Sequence, residues 1–340
     1  MTTRVRVAVL GVGSLGQQHA RIYSGMHRQG AVELVGVYDN NTAQAKSIAE
    51  KYGTSVLGSV EAAADVADAL SIVTPTVTHH DLAKPLLEDG KHLLVEKPMT
   101  DNAGQAADLV RLARQHDCVL QVGHIERFNP VFNYLQQAAR EPRFIESHRL
   151  SPFPARSMDI GVVLDLMIHD LDIVLAFVRS PVEHVDAAGV RVLSASEDIA
   201  NARLRFANGC VANLTVSRVS PESLRKIRVF SGGDEPGYVS LDYREQKGYH
   251  YRLARDDEQE SSILKKVFAG KDSAIVSQFG GRRVVREPVP IQHEEPLKVE
   301  LESFIRCVAK KQEPIVSGES AWQAIELALG ITDQIQSQNS

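Results

Sequence analysis

Val5-Arg6-Val7-Ala8-Val9-Leu10 runs straight into Gly11-Val12-Gly13-Ser14-Leu15-Gly16, and no other stretch of the chain narrows the accessible folds as much. The apolar, β-branched run is that of a strand buried on both faces, as parallel sheets require. The three glycines that follow have separate mechanical uses. Gly11 permits a tight turn, Gly13 lets backbone approach a pyrophosphate, and Gly16 lets a helix pack closely on the strand. At the start of that helix the N–H groups of Ser14 and Leu15 lack intrahelical acceptors and would face the phosphates. A second apolar run, Val32 to Tyr38, delivers Asp39 about twenty residues beyond the last glycine, the spacing of a ribose-binding carboxylate. Such a carboxylate accepts from the ribose hydroxyls and repels a 2′-phosphate, so the unit predicts NAD rather than NADP. A surface aspartate capping the helix after Asn40-Asn41-Thr42 is the plainer alternative.

The alternation continues, with a helix near Thr42–Tyr52, a short strand at Ser55–Leu57, a helix around Ser59–Ala64 and a buried strand at Ala69–Val73. Strands alternating with helices predict parallel βαβ units. Thr74, Pro75, Thr76 and His79 follow the last strand, at the edge where doubly wound sheets bind ligands, and are candidates for the nicotinamide side. An ordinary loop with Thr78 capping the helix His79–Leu87 explains the threonines equally well. The next strand, His92–Val95, ends in Glu96-Lys97-Pro98. There a lysine can hydrogen-bond a substrate hydroxyl and stabilise the alkoxide that precedes hydride loss, while Pro98 biases Lys97 away from helical φ/ψ. A solvated lysine paired with Glu96 is the alternative. Helix Asn102–His116 and strand Val119–Val122 complete this half and set an expected boundary near Gly123, giving domains 1–123 and 124–340.

Directly after it, Gly123-His124-Ile125-Glu126-Arg127-Phe128-Asn129-Pro130 opens a helix able to face the cofactor cleft. Arg127 and Asn129 are candidates for substrate polar groups, since a guanidinium fork suits carboxylate or phosphate. A solvated arginine near a helix start is the bland reading. Further on, Gly161 to Ile173 is apolar on nearly all sides and reads as a buried helix. At about 100° per residue, Asp165, His169 and Asp172 share one stripe and Asp170 points elsewhere. Ionisable groups on a buried helix need partners or a task. His169 can take a hydroxyl proton, with Asp165 orienting it or touching the same hydroxyl. A structural Asp–His hydrogen bond and a metal site of Asp165, His169 and His124 are the competing readings; no other ligand cluster supports the metal.

Beyond Pro181 the pattern turns to strands at His184–Val192, Ala200–Phe206, Val211–Arg218, Lys226–Ser231, Tyr238–Asp242 and Tyr249–Leu253, with Ala207-Asn208-Gly209 a hairpin signal. One antiparallel sheet is expected. Arg255–Glu260 and Gly270–Gly281 read as loops, and Leu297–Lys310 and Ala321–Gln334 as helices.

With 340 residues the chain can support two cores. Its net charge of -5, with acids and bases interspersed, leaves no basic footprint for nucleic acid. Cys118, Cys210 and Cys307 are too dispersed for a disulfide framework or a cysteine zinc site. No uncharged apolar run reaches the ~20 residues that span a bilayer, and no signal-peptide region precedes the first strand, so a cytoplasmic location is expected.

The glycine pattern, the Thr-Pro after strand 69–73, the Glu-Lys-Pro and the Asp-x-x-x-His-x-x-Asp of 165–172 together resemble the glucose-fructose oxidoreductase/inositol dehydrogenase (Gfo/Idh/MocA) family. The resemblance extends over essentially the whole chain and is specific in 7–19, 94–98 and 161–172. It implies an α/β Rossmann domain followed by an α+β domain with a large, mostly antiparallel open sheet. It also implies that Lys97 touches nicotinamide ribose and substrate, and that Asp165 and His169 act with it. The Gly123–Pro130 stretch resembles that of members acting on nucleotide-linked amino sugars such as UDP-N-acetylglucosamine. Asp170 directly after the histidine, and Val162-Val163 where a second glycine is common, depart from the pattern. The expected protein is an NAD-dependent dehydrogenase of a nucleotide sugar, free sugar or cyclic polyol, forming a homo-oligomer (dimer or tetramer). A cofactor-binding sensor is the alternative, and it would need none of Lys97, Asp165 and His169. Reduction of an imine, an enone or a biliverdin-type substrate would use NADPH, which Asp39 opposes.

Overall fold

The computed structural model describes residues 4–153, 160–233, 236–254, 274–279 and 282–338. The chain divides into two compact units, Met1–Phe128 with Glu295–Leu329, and Asn129–Glu294 with Gly330–Ser340. A single cut near Gly123 would assign Glu295–Leu329 to the later part of the chain, whereas its packing belongs with the first.

The first unit is built on a parallel sheet of β1 (Val5–Leu10), β2 (Val32–Tyr38), β3 (Ala69–Ile72), β4 (His92–Glu96) and β5 (Leu120–Gly123), in the order β2-β1-β3-β4-β5. The order reverses between β1 and β3, and ligands bind outside the carboxyl ends of strands at such a reversal. Helices α1 (Gly16–Arg28), α2 (Thr42–Tyr52), α3 (Val60–Val66), α4 (His79–Glu88) and α5 (Ala103–Gln115) connect the strands. Local chemistry fixes their starts: Asn41 accepts from the Gln44 N–H, Ser59 from Ala62 and Asn102 from Gln105. Asn41 therefore does the capping that Asp39 was an alternative for. Thr78 makes no cap; its hydroxyl donates to the Pro75 carbonyl at 2.8 Å and lies 2.7 Å from the Thr74 hydroxyl, from which it can accept.

Val7, Val9, Tyr23, Val32 and Val37 form a core that also takes in Leu301 and Phe304 from the helix Pro296–Lys310. This explains the return of Glu295–Leu329: its apolar face completes the packing around β1 and α1. The free edge of β5 is also covered, since the Val122 N–H donates to the Val316 carbonyl at 3.1 Å. The strand expected at Ser55–Leu57 is only a single parallel bridge between Val37 and Val56.

The second unit carries nine strands: β6 (Pro142–Leu150), β7 (Val182–Val190), β8 (Ile199–Phe206), β9 (Val211–Ser217), β10 (Leu224–Ser231), β11 (Gly237–Asp242), β12 (Lys247–Leu253), β13 (Ala274–Phe279) and β14 (Arg282–Pro288). Their order is β13-β14-β12-β11-β10-β6-β9-β8-β7, and every pairing is antiparallel except β6 with β9. Three strands depart from expectation, β14 among them because no strand is expected over 282–288. β6, over which no strand is expected, is internal to the sheet, and β13 lies within the stretch read as a loop; Arg255–Glu260 lies outside the described residues. Ile145, Ser147 and Arg149 of β6 point to the buried face. The other face carries a half-exposed aromatic row, Phe144, Phe230, Tyr238 and Tyr251, with centroids 5.7, 5.0 and 4.2 Å apart in turn. Helix α6 (Pro130–Ala138) precedes the sheet. After β6 come a π turn, Val163–Met167, and α7, Ile168–Val178. The regular helix expected over 161–173 is thus wound i→i+5 in its first part. No helix among the described residues is long and apolar enough to cross a membrane.

Candidate active site

In the first unit the loops after β1, β2, β3 and β4 leave the sheet on one edge. Gly11 sits at φ +84°, and a methyl there would lie 2.5 Å from the Val73 carbonyl oxygen. A methyl at Gly16 would lie 1.9 Å from the Gly11 carbonyl oxygen, so both glycines are required by the chain itself. Gly13 differs: a methyl there would meet nothing within 4 Å. Its backbone, with Ser14 and Leu15, is exposed at the start of α1. A glycine that no neighbour demands, beside open helix N–H groups, is a cradle that a side chain would fill, and it fits a dinucleotide pyrophosphate.

The Asp39 carboxylate accepts from the Val12 N–H on one oxygen and from the Asn41 N–H on the other, each at 2.8 Å. Each oxygen keeps further acceptor capacity, so the group ties the glycine loop to α2 and can still receive ribose hydroxyls. Gln44, which sequence reasoning passes over, steadies the same loop by donating to the Val12 carbonyl at 3.0 Å.

After β3, Thr74 and Thr76 are half-buried, Pro75 is exposed, and 76–78 form a 3₁₀ turn. His79 does not line this edge openly, because it is fully buried. Its Nε2 lies 2.8 Å from the Thr74 carbonyl oxygen and its Nδ1 3.0 Å from that of Pro98. One imidazole thus joins the loop after β3 to the loop after β4. Burial pushes its pKa below the ordinary histidine value, against the pull of the two carbonyls.

Lys97 is half-buried at the end of β4 and precedes a cis peptide bond to Pro98. Its N–H donates to the Glu96 carboxylate at 3.2 Å, and the other Glu96 oxygen lies 3.2 Å from His19 Nε2. Glu96 and His19 are both buried, and Glu96 holds the backbone of Lys97 from below. His19 was not anticipated. Its only signal is a polar ring on the apolar face of α1, beside Ala20, Tyr23 and Met26. Arg127, in the turn Ile125–Phe128, donates to the Ile315 carbonyl at 3.1 Å.

In the second unit Asn129 is buried. Its side chain caps α6 by accepting from the Val131 N–H, and donates to the Tyr243 carbonyl at 2.9 Å. Both ends of its amide thus hold backbone. Asp165 lies in the π turn and His169 at the start of α7, both half-buried, whereas Asp172 is buried. The shared stripe expected for the three presumes a constant 100° step, which does not hold through the π turn. Asp170 does point elsewhere: it pairs with Arg149 and Ser147 of β6. No cluster of His, Cys, Asp and Glu suited to a metal ion occurs among the described residues.

Comparison with known proteins adds the following. Residues 5–124 match the model of an oxidoreductase family with an NAD-binding Rossmann fold, and residues 137–232 match the GFO/IDH/MocA C-terminal domain. A UDP-N-acetylglucosamine 3-dehydrogenase from Acidithiobacillus ferrooxidans is 34% identical over 96% of both chains. An inositol 2-dehydrogenase from Rhizobium meliloti is 28% identical over 95% of this chain and 94% of its own. The solved structure of the Acidithiobacillus enzyme superposes with a TM-score of 0.84 at 32% identity, covering 98% of this chain and 99% of that one.

Proposed function

The chain belongs to the GFO/IDH/MocA family of NAD-binding oxidoreductases, and from that membership we propose that it oxidises a ring hydroxyl of a nucleotide sugar, UDP-N-acetylglucosamine at its 3-position. The observation that carries this reading is similarity over 96% of both chains to an enzyme of that name, joined to the presence of Lys97, Asp165 and His169. A sensor that only bound the dinucleotide would need none of the three. The inositol 2-dehydrogenase relative keeps a free cyclic polyol as the second substrate to test.

NAD, when bound, accepts the hydride from the carbinol carbon; the rest of the reaction falls to the protein. Gly11, Gly13, Ser14, Leu15 and Gly16 receive the pyrophosphate, Asp39 the adenosine ribose, and Thr74, Pro75 and Thr76 border the nicotinamide side. His169 takes the hydroxyl proton as the C–H bond breaks, leaving a ketone, and Asp165 orients the imidazole or the hydroxyl. The Lys97 ammonium donates to the oxygen as negative charge grows on it, an interaction stronger in the transition state than in the ground state. Arg127 is a candidate for the nucleotide's phosphates.

We also propose a cytoplasmic homo-oligomer. The free cysteines Cys118, Cys210 and Cys307 suit a reducing compartment, and the half-exposed aromatic row of the second unit suits a protein neighbour. Native mass spectrometry reads the subunit number. For the activity, NADH absorbance is followed with NAD and a panel of sugars. UDP-N-acetylglucosamine is expected to turn over faster than inositol or glucose; turnover of the free polyols with none of the nucleotide sugar would sink the assignment.

A further inference from the structure

The helix that bears Asp165 and His169 is apolar around most of its circumference, so hydrophobic burial alone leaves its rotation weakly determined. Buried charge supplies the missing constraint at two places. Directly after His169, the Asp170 carboxylate receives Arg149 Nε at 2.8 Å on one oxygen, and Arg149 Nη2 at 3.3 Å with the Ser147 hydroxyl at 2.8 Å on the other. The Arg149 and Asp170 side chains are each 4% exposed. A planar guanidinium held in this bidentate way fixes direction as well as distance.

At the other end, Glu197, also buried, accepts from the Val162 N–H through its carbonyl at 3.0 Å and from the Val163 N–H through its carboxylate at 3.3 Å. Its carboxylate occupies the space that a methyl at Gly161 would need, with an oxygen 1.9 Å from the methyl position. Glu197 is itself anchored by its neighbour. Asp198 pairs with Arg218 at 2.8 Å, and Arg218 donates onward to the Ile160 carbonyl at 2.8 Å. The π turn and the first turn of α7 are therefore gripped between Arg218–Asp198–Glu197 and Arg149–Asp170, and Asp165 and His169 lie between the two grips.

We propose that Arg149, Asp170 and Glu197 are positioning residues, which set the rotation of the π turn and of the first turn of α7 and so the direction in which Asp165 and His169 present their side chains. This rests on the reading that those two residues carry the proton chemistry. It also gives Asp170, a departure from the family pattern, a task. A buried ion pair contributes little net stability compared with apolar residues of similar volume, while it can specify one arrangement among several. Stability and catalysis should therefore come apart when the pair is replaced as a whole.

The test is the double substitution Arg149→Met/Asp170→Leu in the full chain, with Glu197→Gln and Arg149→Lys as separate variants. The double variant is expected to melt within a few degrees of the parent and to bind NAD equally well, while kcat falls about tenfold or more and KM for the sugar changes less. The His169 ring resonance, identified among the twelve histidines by its loss in His169→Gln, should move. Arg149→Lys, which keeps the charge but not the fork, should retain an intermediate kcat. Unchanged kcat with an unmoved resonance would overturn the proposal. Should the double variant fail to fold, Glu197→Gln decides by the same two readouts. Should the parent turn over no sugar at all, the dehydrogenase reading fails, and the His169 resonance still decides whether the clamp positions the ring.

Discussion

The proposed function gives the Asp39 carboxylate a second task beside its hydrogen bonds to the Val12 and Asn41 N–H groups, and a substitution will expose both. Asp39→Ser removes the charge that opposes a 2′-phosphate and also the acceptor for the Val12 and Asn41 N–H groups. The ratio of NADP to NAD affinity is expected to rise, while the affinity for NAD itself falls because the glycine loop loses one of its ties to α2 and keeps that of Gln44. Fluorescence titration with both dinucleotides measures this, and tighter NADP binding by the parent would remove Asp39 from its role. Lys97→Met is expected to cut turnover by about 10²–10³ and His169→Ala by about 10²–10⁴, with dinucleotide affinity kept. If both act on the same proton, the double variant loses less than the product of the two; near-native turnover in Lys97→Met would place the chemistry elsewhere. His79 contributes a pH dependence of stability. Its folded pKa lies below 6.5, so as pH falls through that value the unfolded chain takes up the proton first and the folded state loses stability. The advantage in Tm of the parent over His79→Gln should be largest at pH 7–8 and shrink toward pH 5; a constant gap would mean that the imidazole is not held neutral.

Elements were legible where one face of the pattern is apolar and obscure where it is not. The Rossmann strands stand out as short, nearly unbroken apolar runs, and α2 as apolar residues at helical spacing after the capping Asn41. β6 does not, because its buried face carries Ser147 and Arg149 after Ile145, and those polar side chains are inward only because Asp170 awaits them. The π turn is equally invisible, since nothing in Val163-Leu164-Asp165-Leu166-Met167 departs from a helical composition. The same blindness covers Gly123, which reads as a strand end. A methyl there would lie 2.6 Å from the buried Glu96 carboxylate, whose other contacts are His19 and the Lys97 N–H. Gly123→Ala is accordingly expected to destabilise by ~1–3 kcal/mol, the usual cost of overpacking a filled site. It should also lower kcat by disturbing the backbone of Lys97. Thermal melts and steady-state kinetics read the two effects, and an unchanged Tm would show that Glu96 has room to move.

For the molecule as a whole, the sequence shows which face of Leu297–Lys310 is buried but not what it is buried against. Apolar periodicity names a face; the partner is set by tertiary packing, here the core around β1 and α1, where Leu301 and Phe304 are fully buried. Leu301→Ala should cost about 2–5 kcal/mol as a large-to-small core change, and it should weaken NAD binding although the residue lies in the last fifty of the chain. A melt monitored with and without NAD separates the two losses.

That arrangement has a consequence for how the protein is made. The strands and glycine loop of the first unit leave the ribosome early, but the helix that closes their core begins after Glu294, more than 160 residues later. At ~5–20 residues per second the nascent chain waits roughly ten to thirty seconds with an apolar sheet face uncovered. Its first-made unit is thus among the last to be finished, and a chaperone that holds exposed apolar surface has a defined interval in which to act on it.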